Sequence, residues 1–373
     1  MRLIDRYLLR ELLIPLGYCL GGFLVFWISF DLFKSLNDFQ RYNMQAGDIV
    51  HYYLLTAPEL LVLLLPVALL LGLLYALTNH ARHHELTAIR AAGVSLWRLS
   101  VPYLGTGLVF ALVLFWLNES LVPDGTERAE QILLRRQTGQ TQTPAKDWTR
   151  NLVFENELDQ RHWQIGYYHV AAAVMRRPQI DCMNPDGSHR RIFAEGALWE
   201  NGTWVLTNVE EVVYPAHTNL VLPPTHSATL VLSNLPETPE LIASEIKISH
   251  LNSVKAVRQA QLSIRDLRHY LRLHPQLDAH RRNILLTMMH NRWATPWTCL
   301  VVVLIALPFG APSGRRNVFV GVASSVFICF TFFVIRELAL ALGSGGYVTP
   351  WLAAWAPNLV FGGAGFFLTQ RVR

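Results

Sequence analysis

Charge is missing from six long stretches of this 373-residue chain. Leu12 to Phe30, Leu60 to Leu77, Val101 to Leu117, Trp293 to Phe309, Val318 to Ile335 and Trp351 to Leu368 contain no Asp, Glu, Lys or Arg. An uncharged apolar run near twenty residues crosses the ~30 Å hydrocarbon core as a helix, so six of them exclude an ordinary soluble enzyme and predict an integral membrane protein. Tyr52, Tyr53, Trp97, Trp116, Trp293 and Trp351 extend the shorter runs, because amphipathic rings settle at the headgroup level. Cysteine is scarce as well. Cys19, Cys299 and Cys329 fall inside apolar runs and Cys182 stands alone in the middle of the chain, so no disulfide can form within that middle part.

Reaction motifs are also lacking. No G-x-x-x-x-G-K-[ST] loop occurs, and the Gly-rich stretch Gly310 to Gly314 has the wrong spacing and no Lys, so ATP is not bound by that device. His80, His83, His84 and Glu85 invite a metal reading, since His at i and i+4 share a helix face. A zincin needs Glu directly after its first His, however, and here that residue is Ala81; solvated side chains are the better reading. There is no G-x-S-x-G, and no Ser has an assignable His and acid around it. The runs are polar chiefly at their ends, unlike an intramembrane protease. An enzyme, a metal and a cofactor are therefore not expected.

The uncharged runs fall three before and three after a long polar middle. Leu12 to Phe30 exceeds a typical signal-peptide core and lacks a small-residue cleavage site, so it is expected to remain as a span. With six spans both termini share a side, holding Arg2, Arg6, Arg10, Arg82, Arg90, Arg98, Arg315, Arg316, Arg371 and Arg373, against Lys34 and Arg41 in the opposite short loops. That bias predicts cytoplasmic termini and an exported middle domain. The net charge of +5 then reflects topology and anionic lipid rather than nucleic-acid binding.

The middle has a strand-and-turn texture. Asn151 to Leu158, Trp163 to Val174, Arg190 to Leu198 and Thr203 to Val213 are rich in β-branched and aromatic residues with partial alternation. Pro185-Asp-Gly-Ser188 and Glu200-Asn-Gly-Thr203 read as hairpin turns, and strands at this spacing suggest a sandwich or jelly roll. Lys255 to Leu271 reads as an amphipathic helix, with Leu262, Leu267 and Leu271 apolar. The expected division is residues 1–118 with three spans and a cytoplasmic helix at about 80–93, residues 119–275 as the exported β domain, and residues 276–373 with three more spans. In the cytoplasmic segment, Arg82 to Ala92 are good helix formers, Leu86 and Ile89 share an apolar face, and Gly93 is placed as a stop. Such a helix either docks in a partner's groove or packs on lipid headgroups.

Six stretches occur in order along the chain. They are Ile4-Asp-Arg-Tyr-Leu-Leu-Arg-Glu-Leu12, Glu85-Leu-Thr-Ala-Ile-Arg-Ala-Ala-Gly93, Asn118-Glu-Ser-Leu-Val-Pro123, Ala194-Glu-Gly-Ala-Leu-Trp199 with Asn201-Gly-Thr-Trp204, Leu307-Pro-Phe-Gly310 with Ser313-Gly-Arg-Arg316, and Trp351-Leu-Ala-Ala-Trp-Ala-Pro-Asn358. Together they resemble the LptF/LptG (YjgP/YjgQ) permease family of lipopolysaccharide export. The resemblance implies a polytopic inner-membrane α-helical protein with six transmembrane helices and an inserted periplasmic β-jellyroll. It also implies a complex with a paralogous second permease half, a cytoplasmic LptB-type ATPase dimer, a single-span LptC-type bridge protein and lipopolysaccharide itself.

By position, the resemblance makes Glu85 the acidic residue of a coupling helix seated in the ATPase groove, with Leu86, Ile89 and Arg90 beside it. An i−3 pair with Arg82 is the plainer role for Glu85. At the outer face, Lys34, Arg128, Arg135, Arg136, Arg336 and Glu337 fall where a lateral gate meets the phosphates of the lipid headgroup, which Arg can grip with forked hydrogen bonds. Snorkelling, and a local Arg336–Glu337 pair, are the plainer readings there. A non-transporting scaffold that presents a periplasmic β domain is the alternative to a permease.

Overall fold

The computed structural model describes residues 3–137, 148–156, 161–183, 187–216, 222–232, 235–248, 262–275, 277–310 and 318–371. They fall into two compact units, Met1–Gly139 with Asn283–Arg373, and Gln140–Arg282.

The helical unit opens with α1 (Leu3–Arg41) and α2 (Ala46–Arg82). A reciprocal cap at Gln45 and Asp48 starts α2, the Gln45 N–H donating to Asp48 Oδ2 at 3.0 Å. The short α3 (Glu85–Ala91) stops at Gly93, whose φ of +84° lets the Val94 N–H reach back to Ile89 O at 3.4 Å. Ser95 caps α4 (Leu96–Trp116), its Oγ accepting from the Arg98 N–H at 3.3 Å. A π turn (Leu117–Leu121) then leads into α5 (Val122–Gln137).

The second unit is a six-stranded antiparallel sheet, β1 (Trp148–Asn156), β2 (Arg161–His169), β3 (Val174–Met183), β4 (His189–Glu200), β5 (Thr203–Tyr214) and β6 (Thr225–Leu232), followed by α6 (Pro239–Ile248) and α7 (Ile264–Leu273). The described strands lie in chain order β1-β2-β3-β4-β5-β6. Each described strand thus pairs with its neighbours in sequence, in a single antiparallel sheet. Glu200 to Thr203 turns β4 into β5 as expected, with Asn201 at φ +49° and Gly202 at φ +80°. The sequence reading merged β2 with the start of β3 and passed over β6. In the expected Lys255 to Leu271 helix, residues 255–261 lie outside the described residues; the described helix begins at Ile264 because the Ser263 Oγ caps it, accepting from the Asp266 N–H at 3.0 Å.

One face of the sheet carries the core, with Trp163, Ile165, Tyr168, Met175, Ile180, Trp204 and Leu206 buried together and Ile242 of α6 packed among them. Polar pins fix α6 at both ends. Glu237, fully buried, accepts from Asn156 Nδ2 at 2.6 Å and Arg161 Nε at 3.1 Å, and its carbonyl accepts from Trp204 Nε1 at 2.7 Å. Glu245 accepts from the Tyr270 hydroxyl of α7 at 3.0 Å, with His274 Nε2 at ion-pair distance, 2.9 Å.

The chain re-enters the helical unit through α8 (Ala279–Ala294), a 3₁₀ turn (Thr295–Trp297) and α9 (Thr298–Gly310), then α10 (Val318–Ser344) and α11 (Pro350–Arg371). Five of the described helices are long and apolar enough to cross a membrane. The expected Trp293 to Phe309 span is not one helix. It is divided at the 3₁₀ turn, where Pro296 has no N–H for the α ladder, and α9 alone has 13 residues. Helices approach through glycines, as interfaces in lipid require: a Cβ on Gly72 would lie 3.0 Å from Leu16 Cα, and one on Gly125 would run into Leu55 O. Burial is unequal. Of the apolar window in α2, 61% is buried, against 11% in α1.

Candidate functional site

At the end of α2 the chain turns sharply, His84 taking φ +56°, and Glu85 emerges as the first residue of α3. Its carboxylate does not turn to Arg82, which is exposed. It is directed inward, accepting from the Tyr7 hydroxyl of α1 at 3.0 and 3.2 Å and lying 2.7 Å from His80 Nδ1. His80 is 1% exposed and its ring packs 5.6 Å from that of Tyr7. Its Nε2 is buried without a partner, an arrangement that suits a bare lone pair there and a proton on Nδ1 donated to Glu85. The His80 hydrogen bond holds the Glu85 carboxyl below its ordinary value, outweighing the upward push of burial, with Tyr7 adding to the lowering.

Beneath this group the apolar side of α3 is occupied. Leu86 is buried in the core of its own unit with Leu8, Leu12, Leu77 and Leu99, and Ile89 packs partly against it. Both were expected to flank Glu85 toward a partner; they face this chain's helices because they share the i, i+3 face that Gly93 and Val94 clamp down. Thr87, Ala88 and Ala91 form the exposed side, and the Arg90 side chain lies outside the described residues. A second tie joins the start of α1 to the start of α4, where Arg98 Nη2 donates to Asp5 Oδ2 at 2.9 Å.

Among the described residues, the basic side chains expected at the outer face do not gather into one site. Lys34 on α1 and Arg128 on α5 are exposed, and the side chains of Arg135 and Arg136 lie outside the described residues, as do Arg315 and Arg316. Arg336 of α10 turns inward, its Nη2 donating to Asn291 Oδ1 at 3.0 Å and Thr295 Oγ1 at 2.8 Å. Glu337 is exposed on the next face, since neighbours one apart on a helix diverge, and the local Arg336–Glu337 pair is not formed.

Near that group the π turn frees a backbone oxygen. The buried Arg292 Nη1 donates to Asn118 O at 2.6 Å, which fastens α8 to the junction of α4 and α5.

Sequence reasoning named Glu85 but passed over Tyr7, His80 as a hydrogen-bond donor, the Asp5–Arg98 tie and Arg292. Tyr7 sits within the Ile4 to Leu12 motif, and its partners are separated from it by the whole first hairpin of helices. The available signal for His80 was its place at the end of an apolar helix, five residues before Glu85.

The two units, the apolar helices and the short helix at Glu85 can now be set beside known proteins. The family model for the lipopolysaccharide export system permease LptF/LptG matches residues 6–371. A comparison with the curated proteins finds no match. Since the family match runs through both units and nearly the whole chain, the protein belongs to the LptF/LptG family of lipopolysaccharide export permeases.

Proposed function

We propose that this chain is one half of an ATP-driven permease that extracts lipopolysaccharide from the outer leaflet of the inner membrane and passes it to a periplasmic bridge protein. Six spans form its membrane part, with α8 and α9 together serving as the fourth; both termini are cytoplasmic, and the sheet unit is a periplasmic jellyroll-type domain. A paralogous second half completes the cavity. Extraction needs an energy source, because each buried CH₂ contributes ~0.8 kcal/mol and a multiply acylated lipid does not leave the bilayer unaided.

The observation that carries this reading is α3. It is a short helix between α2 and α4, its inner face packed into its own core and its outer face of Thr87, Ala88 and Ala91 exposed, on a chain whose sequence has no Walker-type phosphate loop. Here α3 is the surface on which an ATPase dimer acts, with Glu85 and Arg90 at its ends and Leu86 and Ile89 seating it. Lys34, Arg128, Arg135, Arg136 and Arg336 with Glu337 are the residues that meet the charged headgroup on its way out.

The test is Glu85→Ala in the complete complex reconstituted in liposomes. ATP hydrolysis should continue while lipopolysaccharide release falls; unchanged release overturns the coupling role of α3.

A further inference from the structure

The start of α1 is fastened by side-chain hydrogen bonds both to the coupling helix and to the start of α4. Tyr7 bonds Glu85 at 3.0 Å and His80 bonds the same carboxylate at 2.7 Å. Asp5 is tied to Arg98 at 2.9 Å, and Leu8 and Leu12 share a core with Leu86 and Leu99. Beyond this block α1 is held differently. From residue 17 to residue 38 no side chain is fully buried, and Gly17, Gly21 and Gly22 have nothing within 4 Å of an added Cβ. The next polar hold is the Tyr53 hydroxyl on Asp31 Oδ2 at 3.0 Å, near the opposite end of the apolar run. The helix is therefore fixed to α3 at one end and pinned to α2 at the other, and between them it meets its own chain through partly buried side chains such as Cys19, Leu20 and Phe23.

We propose that Tyr7 and His80 are positioning residues which make Glu85 a joint between the coupling helix and the first span, so that displacement of α3 swings the cytoplasmic end of α1 about the Asp31–Tyr53 contact. His80, buried and rigid on α2, sets the orientation of the carboxylate. Tyr7 takes up its motion. A hydrogen bond to an ionised group is among the stronger polar contacts, and a joint built from two of them transmits displacement that apolar side chains alone would let slip. This inference rests on the reading of α3 as the surface met by the ATPase.

The experiment uses the full complex in liposomes, reading ATP hydrolysis and lipopolysaccharide release in parallel. Tyr7→Phe keeps the ring and removes the donor. Release per ATP should fall on the order of tenfold, the scale set by one hydrogen bond to a charged group. Because the two residues act through one carboxylate, adding Tyr7→Phe to Glu85→Gln should lower release no further than Glu85→Gln alone. His80→Leu should uncouple likewise, and His80→Asn, which places an N–H where Nδ1 stands, should restore release; a merely space-filling His80 would be served equally well by Leu. If Glu85→Ala uncouples but assembled Tyr7→Phe and His80→Leu complexes release lipid as the parent does, the joint is refuted while the coupling role of α3 stands. If Glu85→Ala itself has no effect, both fall. Additive losses for Tyr7→Phe and Glu85→Gln also overturn the joint.

Discussion

Trp163, Trp204, Tyr168 and Met175 in the sheet unit are each at most 1% exposed, whereas Tyr18, Phe26, Phe30 and Phe33 of α1 are between 62% and 79% exposed. Both sets are large and apolar, yet only the first is covered by its own chain. The sheet closes its interior with α6 and anchors it through buried carboxylates at Glu237 and Glu245. The helical unit leaves wide apolar faces on α1 and α10 uncovered by its own chain. Side-chain changes in the sheet unit are therefore expected to act on that unit's stability. Changes in the helical unit act on helix approach and on the transmission of motion.

The sharpest way to break this contrast is Trp204→Ala. It removes a fully buried indole and orphans the Glu237 carbonyl that accepts from Nε1 at 2.7 Å. Truncations of this kind cost ~3–5 kcal/mol. Thermal unfolding of the whole protein, followed by tryptophan fluorescence, should show the sheet transition moving down sharply while helical circular dichroism persists. A single transition for both signals, shifted together, would erase the distinction between the units.

Arg161→Ala should follow at ~3 kcal/mol, the usual cost of leaving a buried charge without its partner. Glu237 is 0% exposed and Arg161 13%, so water cannot replace the guanidinium. Arg161→Ala combined with Glu237→Gln should recover much of the loss. A double variant no more stable than Arg161→Ala alone would mean that the ion pair is not what holds the start of α6.

A smaller effect sharpens the helical side of the comparison. Gly125→Ala forces α5 away from Leu55 O of α2, an overpacking cost of ~1–3 kcal/mol. Gly17→Ala on α1 meets nothing within 4 Å and should leave the melting temperature of the detergent-solubilised protein unchanged. Equal shifts for the two would contradict a helical unit whose contacts concentrate around α2.

How much of this was legible in the sequence differs between the units for a physical reason. Membrane helices announce themselves through missing charge, and five of the runs fall on described helices, although α1, α2 and α10 extend well beyond the uncharged stretch. The fourth run is divided by the 3₁₀ turn at Thr295–Trp297, and composition does not reveal that, because Pro15, Pro58, Pro66, Pro102 and Pro357 sit inside unbroken helices.

The strands were harder because each crosses a crease. Along the line Asn151, Gly166, Arg177, Glu195, Asn208 and Ala228 every ladder omits the opposed pair, and Asn151, Arg177 and Asn208 each take φ +51°. Buried positions slip by one there, from Trp163 and Ile165 to Tyr168 in β2, from Met175 to Pro178 and Ile180 in β3, and from Trp204 and Leu206 to Val209 in β5. A period-two template sees only partial alternation in such a strand. In β3, Arg176, Arg177 and Pro178 fall on the slip itself and hide the strand altogether.

At α3, Glu85 was legible through its motif, but its partners were not. Tyr7 meets it only after two helices have packed, and that packing sets the smallest expected effect. Because the His80 hydrogen bond lowers the Glu85 value, the contribution of this carboxylate to holding α3 on α1 is complete above the ordinary glutamate range. It is lost as the pH falls through the lowered folded value. With the Glu85 side chain 32% exposed, solvent weakens the effect, and the fold survives on Leu86 and its core. Spin labels at the exposed Arg10 and Thr87, in a background freed of the native cysteines, should report a distance distribution that is narrow near neutrality and broadens only in strong acid. In Glu85→Gln the same pair should be broad throughout, with no transition. Broadening in the parent well above the glutamate range, or a transition that persists in Glu85→Gln, would show that this carboxylate is not what holds α3 on α1.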